Sequence, residues 1–211
     1  MLDIALAAFA NFFVIIDPVG VVPLFVALTQ GIDPAPRRRI AVRSVIIATV
    51  ILLVFTVLGQ PILHYLGISL PAFRIAGGLL LLLLAIDMVV VKSSGLRSTT
   101  QKEDEEASHR PDVTVFPLAI PLIAGPGAIT SVILLQSQHA GNILAQAVTA
   151  GVMVAVLAMV LVGFLLSGQI MKVLGVTGVN VITRVFGIIL SALAVSNIVE
   201  GIRASFPALA S

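Results

Sequence analysis

Apolar residues crowd this chain into six stretches, roughly Ile4 to Leu28, Ile40 to Leu63, Pro71 to Val91, Val113 to Gln136, Ile143 to Leu166 and Val179 to Ile202. Each reaches about 20 residues, the length of a helix that crosses a hydrocarbon core and satisfies its own backbone N–H and C=O groups. The two-residue alternation of a barrel strand is missing. The pattern predicts an all-α integral membrane fold of six transmembrane helices forming one membrane domain. The extended polar segment at residues 92–112 is rich in Ser, Thr and mixed charge and has no apolar periodicity. It reads as a flexible cytoplasmic linker, with its acidic cluster Glu103 to Glu106 a solvated charge run. It separates a first three-span unit, residues 1–91, from a second, residues 113–211.

The two units resemble one another. Leu66-Gly67-Ile68, Arg74, Gly77 and Asp87 have counterparts in Leu174-Gly175-Val176, Arg184, Gly187 and Asn197, the last three pairs sharing an offset of 110. Pro18 in IIDPVGVVP corresponds to Pro126 in IAGPGAITS at an offset of 108. A unit with an odd number of spans inserts its successor upside down, so the second is expected to be an inverted-topology repeat of the first. Secondary transporters share this plan and hold their substrates between the repeats, near the bilayer midplane.

Composition agrees with a membrane location. Of 211 residues, 59% are hydrophobic and 10% charged, with a mean hydropathy of +1.16, which leaves too little polar surface to cover a water-soluble globule. The absence of cysteine excludes disulfides, thiolate catalysis and zinc–thiolate sites. Ala8-Phe9-Ala10 resembles a signal-peptide cleavage site, but no basic region precedes it and the apolar run continues beyond it, so residue 1 onward is expected to be mature protein. The basic residues Arg37, Arg38, Arg39, Arg43, Lys92, Arg97, Lys102, Arg110 and Lys172 fall after the first, third and fifth spans. By the positive-inside rule those loops are cytoplasmic and both termini outside, in a bacterial cytoplasmic (inner) membrane. The arginine triplet is thereby a topology signal, and nucleic acid is not expected as a partner.

The first and fourth spans carry the candidate chemistry. Asp17 lies 13 residues into the first, ~20 Å along a helix and not far from the bilayer centre. Pro18 and Pro23 cannot donate, which should release the carbonyls of Val14 and Val19, while Gly20 permits conformations closed to other residues. In the fourth span Pro117, Pro121 and Pro126, with Gly125 and Gly127, should interrupt the helix in the same way. Interrupted backbone at membrane depth persists only under cover of protein or water, so both breaks are expected to face one internal cavity. N–H groups around Val19 to Val22 and Gly127 to Thr130 would end half-helices there and suit a carboxylate. Freed carbonyls and Asp17 would suit an ammonium group, Na⁺ or H⁺, so a small zwitterion satisfies both.

The candidate binding set is therefore Asp17, Pro18, Val19, Gly20, Val21, Gly125, Pro126, Gly127, Ala128, Thr130 and Ser131. Asp17 is equally readable as a cap on the half-helix that follows it. Arg74 and Arg184, each about one turn inside a span, are assigned structural or gating roles. His64, His109 and His139 have no metal-ligand spacing, and no metal or cofactor is expected beyond H⁺ or Na⁺ coupling through Asp17.

DPVGVVPLF in the first span, GISLPAFRIAGGLLLLLLAIDMV in the third, VFPLAIPLIAGPGAITSVI in the fourth and the R-V-F-G-I segment of the sixth resemble the MarC-like family of six-span bacterial and archaeal membrane proteins. The resemblance covers nearly the whole chain outside the linker. It implies breaks at Asp17 to Gly20 and Gly125 to Gly127. It also implies either the multiple-antibiotic-resistance role behind the family's name, or transport of glycine and other small neutral amino acids, as in archaeal relatives. Where many relatives have asparagine after the first-break glycine, this sequence has Val21, a departure that bears on substrate identity.

The functional expectation is a secondary transporter of small neutral amino acids or similar zwitterions, working by alternating access in the lipid bilayer. Drug or metabolite efflux and a non-transporting scaffold are the alternatives, and a homo-oligomer is compatible with each. Direct ATP use is not expected without a phosphate-binding loop, nor is an enzyme without a buried nucleophile and base.

Overall fold

The computed structural model describes residues 1–90 and 113–206, and every regular element among them is helical. The expected linker, residues 92–112, lies outside the described residues. Five helical segments are long and apolar enough to cross a membrane, Leu2–Leu28 counted as one, and a sixth span results when the bent pair Thr114–Ile123 and Pro126–Gln138 is taken together.

Helix α1, Leu2–Ile16, is apolar on all sides and buries Phe12, Ile15 and Ile16. It stops because Pro18 disfavours right-handed helix at the residue before it, and Asp17 turns into the left-handed region at φ 50°, ψ 70°. After a three-residue turn the chain resumes as α2, Val21–Leu28. Pro23 does not break α2. It occupies the third position, where an N–H has no intrahelical acceptor, and the Val19 carbonyl expected to be released accepts the Val22 N–H at 3.2 Å.

Helix α3, Pro34–Tyr65, is 32 residues long. At ~48 Å it outreaches a hydrocarbon core of ~30 Å, so Arg37, Arg38 and Arg39 belong to its first turns rather than to a loop. It ends in a paired cap: the Ile68 N–H donates to Leu63 O (2.9 Å) and the Gly67 N–H to His64 O (3.1 Å), with Gly67 at φ 67°. Helix α4 is Leu70–Val90.

The fourth apolar stretch divides into two. Thr114–Ile123 is a wide, irregular helical segment with extended backbone at Phe116 and Ile120 and cis peptide bonds before Pro117 and Pro121. Helix α5, Pro126–Gln138, leaves it at an angle of 52°. Pro126 is thus the first residue of a helix, where its missing N–H has no cost.

Helix α6, Ile143–Leu165, is capped by Asn142, whose side chain accepts the Ala145 N–H at 3.0 Å. Helix α7, Ser167–Ser205, begins twelve residues before the expected Val179 and is interrupted at Gly175 (φ 61°, ψ 178°). Lys172 consequently lies on a helical turn and not in a loop.

A small-residue seam holds α4 against α7. A methyl group on Gly201 would meet the Pro71 carbonyl oxygen at 2.9 Å, on Gly78 that of Ala194 at 2.8 Å, and on Gly187 that of Ala85 at 3.0 Å. As the α4 number rises by seven the α7 number falls by seven, so the two helices run antiparallel with their backbones in close approach. The other main packing partners are α1 with α6, and α3 with Thr114–Ile123, α5 and α6.

Candidate functional site

The interruption between α1 and α2 is organised by one carboxylate. Asp17 is fully buried. Its Oδ1 accepts the Gly20 N–H at 2.9 Å and its Oδ2 accepts the Thr183 hydroxyl, on α7, at 3.1 Å. The Val21 N–H donates to the Asp17 carbonyl at 3.2 Å. Of the amides around Val19 to Val22 expected to await an anion, those of Gly20, Val21 and Val22 are already partnered, the last by Val19 O, and the chain's own carboxylate sits where the anion was expected. A Cβ on Gly20 would overlap the Asp17 carboxylate and approach the Thr183 hydroxyl at 2.5 Å, so only glycine fits this turn. Around it, Pro18 and Val21 are buried and Val19 partly so. Gly163 of α6 faces the Pro18 carbonyl oxygen, 3.2 Å from where its Cβ would stand.

At the second interruption the Ala124 N–H reaches back to Ala119 O at 2.9 Å, and the Ile129 N–H to Gly125 O at 3.1 Å. Gly127 lies under Leu84 and Leu81 of α4 and Ile15 of α1, with methyl-to-methyl approaches of 2.9, 3.3 and 3.6 Å for an added Cβ. A cavity of about 20 Å³ opens among Ile15, Leu80, Leu84, Pro121 and Gly125 to Ala128. That is the room of a single water. Ile15 thus joins the neighbourhood of the first break to that of the second, although Asp17 does not line this space. Pro126 is exposed on the described surface.

Thr130 and Ser131 are buried on α5, the Thr130 methyl packing onto Gly77. Ser131 Oγ has no hydrogen-bond partner among the described residues, nor does Asn11 Oδ1 on α1. Arg74 is mostly buried and pairs with Glu200 of α7 at 2.9 Å, whereas Arg184 is exposed.

A model of the family described as MarC family integral membrane protein matches residues 2–206. The chain belongs to the MarC family. Its relatives include the UPF0056 membrane protein YvbG of Bacillus subtilis (strain 168), 37% identical over the full length of both chains. UPF0056 membrane protein MJ1677 of Methanocaldococcus jannaschii is 39% identical across 93% of this chain and 94% of its own. UPF0056 membrane protein YhcE of Escherichia coli (strain K12) is 36% identical across 95% and 93%. No solved structure matches the chain.

The MarC family assignment makes this a multi-pass integral membrane protein, as its apolar helices require. Thr183, Glu200 and Ile15 were not legible as site residues in the sequence. Thr183 lies just before Arg184 in VITRVF, and only the antiparallel placement of α7 brings it to Asp17.

Proposed function

We propose that this MarC family protein is a secondary transporter, rather than an enzyme, that moves small neutral amino acids or similar zwitterions by alternating access. The observation that carries this reading is the fully buried Asp17, held at a helix interruption between its own half and α7. An ionisable side chain inside a membrane helix is expensive and marks a substrate or ion path by default. In the proposed mechanism Asp17 receives the ammonium group of the solute, or a coupling H⁺ or Na⁺. Its Gly20 bond occupies the first break and the Ile129 N–H is taken by Gly125 O, so the solute carboxylate goes to the first amides of α5, those of Gly127 and Ala128, with Ser131 nearby.

The inverted repeat belongs to this proposal. Positive-φ glycines punctuate both halves alike: Gly31 and Gly67 follow the first and second spans, Gly141 and Gly175 the fourth and fifth. The packing pattern also exchanges in kind, α1 on α6 matching Thr114–Ile123 on α3, and α2 on α7 matching α5 on α4. Two halves related in this way can rock about a central site. The space at Gly127 has the room of a single water, so in the proposed mechanism a solute enters only when the halves separate. The location that fits is a bacterial cytoplasmic membrane with both termini outside.

A ligand that prefers the native state raises its apparent stability. Thermal unfolding of the detergent-solubilised protein with glycine, alanine, serine, antibiotics and Na⁺ tests the substrate class. Stabilisation by the small amino acids alone supports the proposal, and stabilisation confined to antibiotics transfers it to efflux.

A further inference from the structure

A second polar site lies away from the breaks, where α2, α3 and α7 meet. Arg37 of α3 donates from Nη2 to Ser167 Oγ at 2.8 Å, and its Cζ stands 5.2 Å from the ring centroid of Phe25. Phe25 in turn stacks on Phe164 with centroids 4.3 Å apart and planes 9° from parallel. A cleft of about 290 Å³ opens beside them, lined by Phe25, Pro34, Arg37, Arg38, Ser167 and Gly168, among others. From this arrangement we infer that the cleft binds the phosphate group of an anionic phospholipid.

Charge comes first. Two guanidiniums line one cleft, and neither has a carboxylate within ion-pair distance among the described residues, where Arg74–Glu200 is the ion pair formed. Pro34 begins α3 and Ser167 begins the short segment of α7 that precedes Gly175, so the positive ends of both add to the same field. Geometry comes next. The Ser167 bond and the Phe25 ring fix the Arg37 plane while using one of its five N–H donors at the serine, and a planar fork held in advance suits a phosphate. Position selects the source. Arg37 and Arg38, with Arg39 after them, lead into the apolar run from Ile40, which sets the cleft at the level where hydrocarbon gives way to headgroups. A nucleotide base finds no platform, because the Phe25 ring is already engaged by Phe164 and Arg37.

The test uses the full chain in neutral detergent, with thermal unfolding followed against phosphatidylglycerol, phosphatidylcholine of the same acyl chains, and inorganic phosphate. Phosphatidylglycerol is expected to raise the midpoint by roughly 5 °C at saturation, and phosphatidylcholine and phosphate by far less. Arg38→Gln, at an exposed position, should lose most of that shift, and Arg37→Gln with Arg38→Gln all of it. Arg39→Gln, whose residue does not line the cleft, should keep it. An equal shift from phosphatidylcholine, or one that survives the double substitution or falls equally in Arg39→Gln, overturns the site. Equal stabilisation by inorganic phosphate overturns the lipid as the source of the anion.

Discussion

The Thr183 hydroxyl donates to Oδ2 of Asp17 at 3.1 Å across 166 residues of sequence, tying the first helix interruption to the last helix. A carboxylate with no exposure depends on each of its donors. Replacing Thr183 by valine keeps the shape and removes one donor, and should lower stability by about 1–3 kcal/mol, whereas serine should restore most of it. Unfolding midpoints of the two variants in one detergent check the ordering.

Gly20 and Gly127 both mark interruptions but differ in what surrounds them. A methyl group on Gly20 collides with the Asp17 carboxylate and the Thr183 hydroxyl, while one on Gly127 meets the movable end of Leu84 at 2.9 Å. Gly20→Ala is therefore expected to destabilise by about 1–3 kcal/mol and to disrupt solute binding, with Gly127→Ala milder in both. Parallel melts and ligand-induced shifts for the pair decide it.

Along the α4–α7 seam an added methyl meets an isoleucine side chain and, just beyond it, backbone carbonyl oxygen, which has no rotamer to escape into. Gly78→Ala and Gly201→Ala should each cost about 1–3 kcal/mol, more than alanine at Gly151, where an added Cβ meets nothing within 4 Å. Comparison of the three melting curves tests the seam.

The Arg74–Glu200 pair bridges the same helices, yet the Glu200 side chain is 50% exposed. Its coupling should be below about 1 kcal/mol in a double-mutant cycle with Arg74→Gln and Glu200→Gln. A much larger coupling would make the pair a structural lock and not a surface bridge.

What the chain discloses by itself follows from which forces are local. Apolar length marks the spans, and the proline after Asp17 ends α1, because both effects act within a turn. Proline position within a helix is less legible: Pro23 and Pro126 read as breakers but occupy first-turn positions, which became evident only once the helix starts were known. Gly175, between the fifth and sixth apolar stretches, reads as loop, while helix forms on both sides of it. Thr183 and Glu200 acquire partners through an antiparallel pairing of distant helices, for which neither residue carries a local signal.

The proposal that Asp17 serves a solute path is tested most directly by gradient-driven uptake of labelled glycine and alanine into proteoliposomes, comparing the wild-type chain with Asp17→Asn. Asparagine keeps the shape and polarity at the turn but not the charge. Uptake above protein-free vesicles in the wild type, reduced at least about tenfold in a variant that still melts cooperatively, is the expected result. Equal uptake by both proteins, or none by the wild type under H⁺ and Na⁺ gradients, would contradict it.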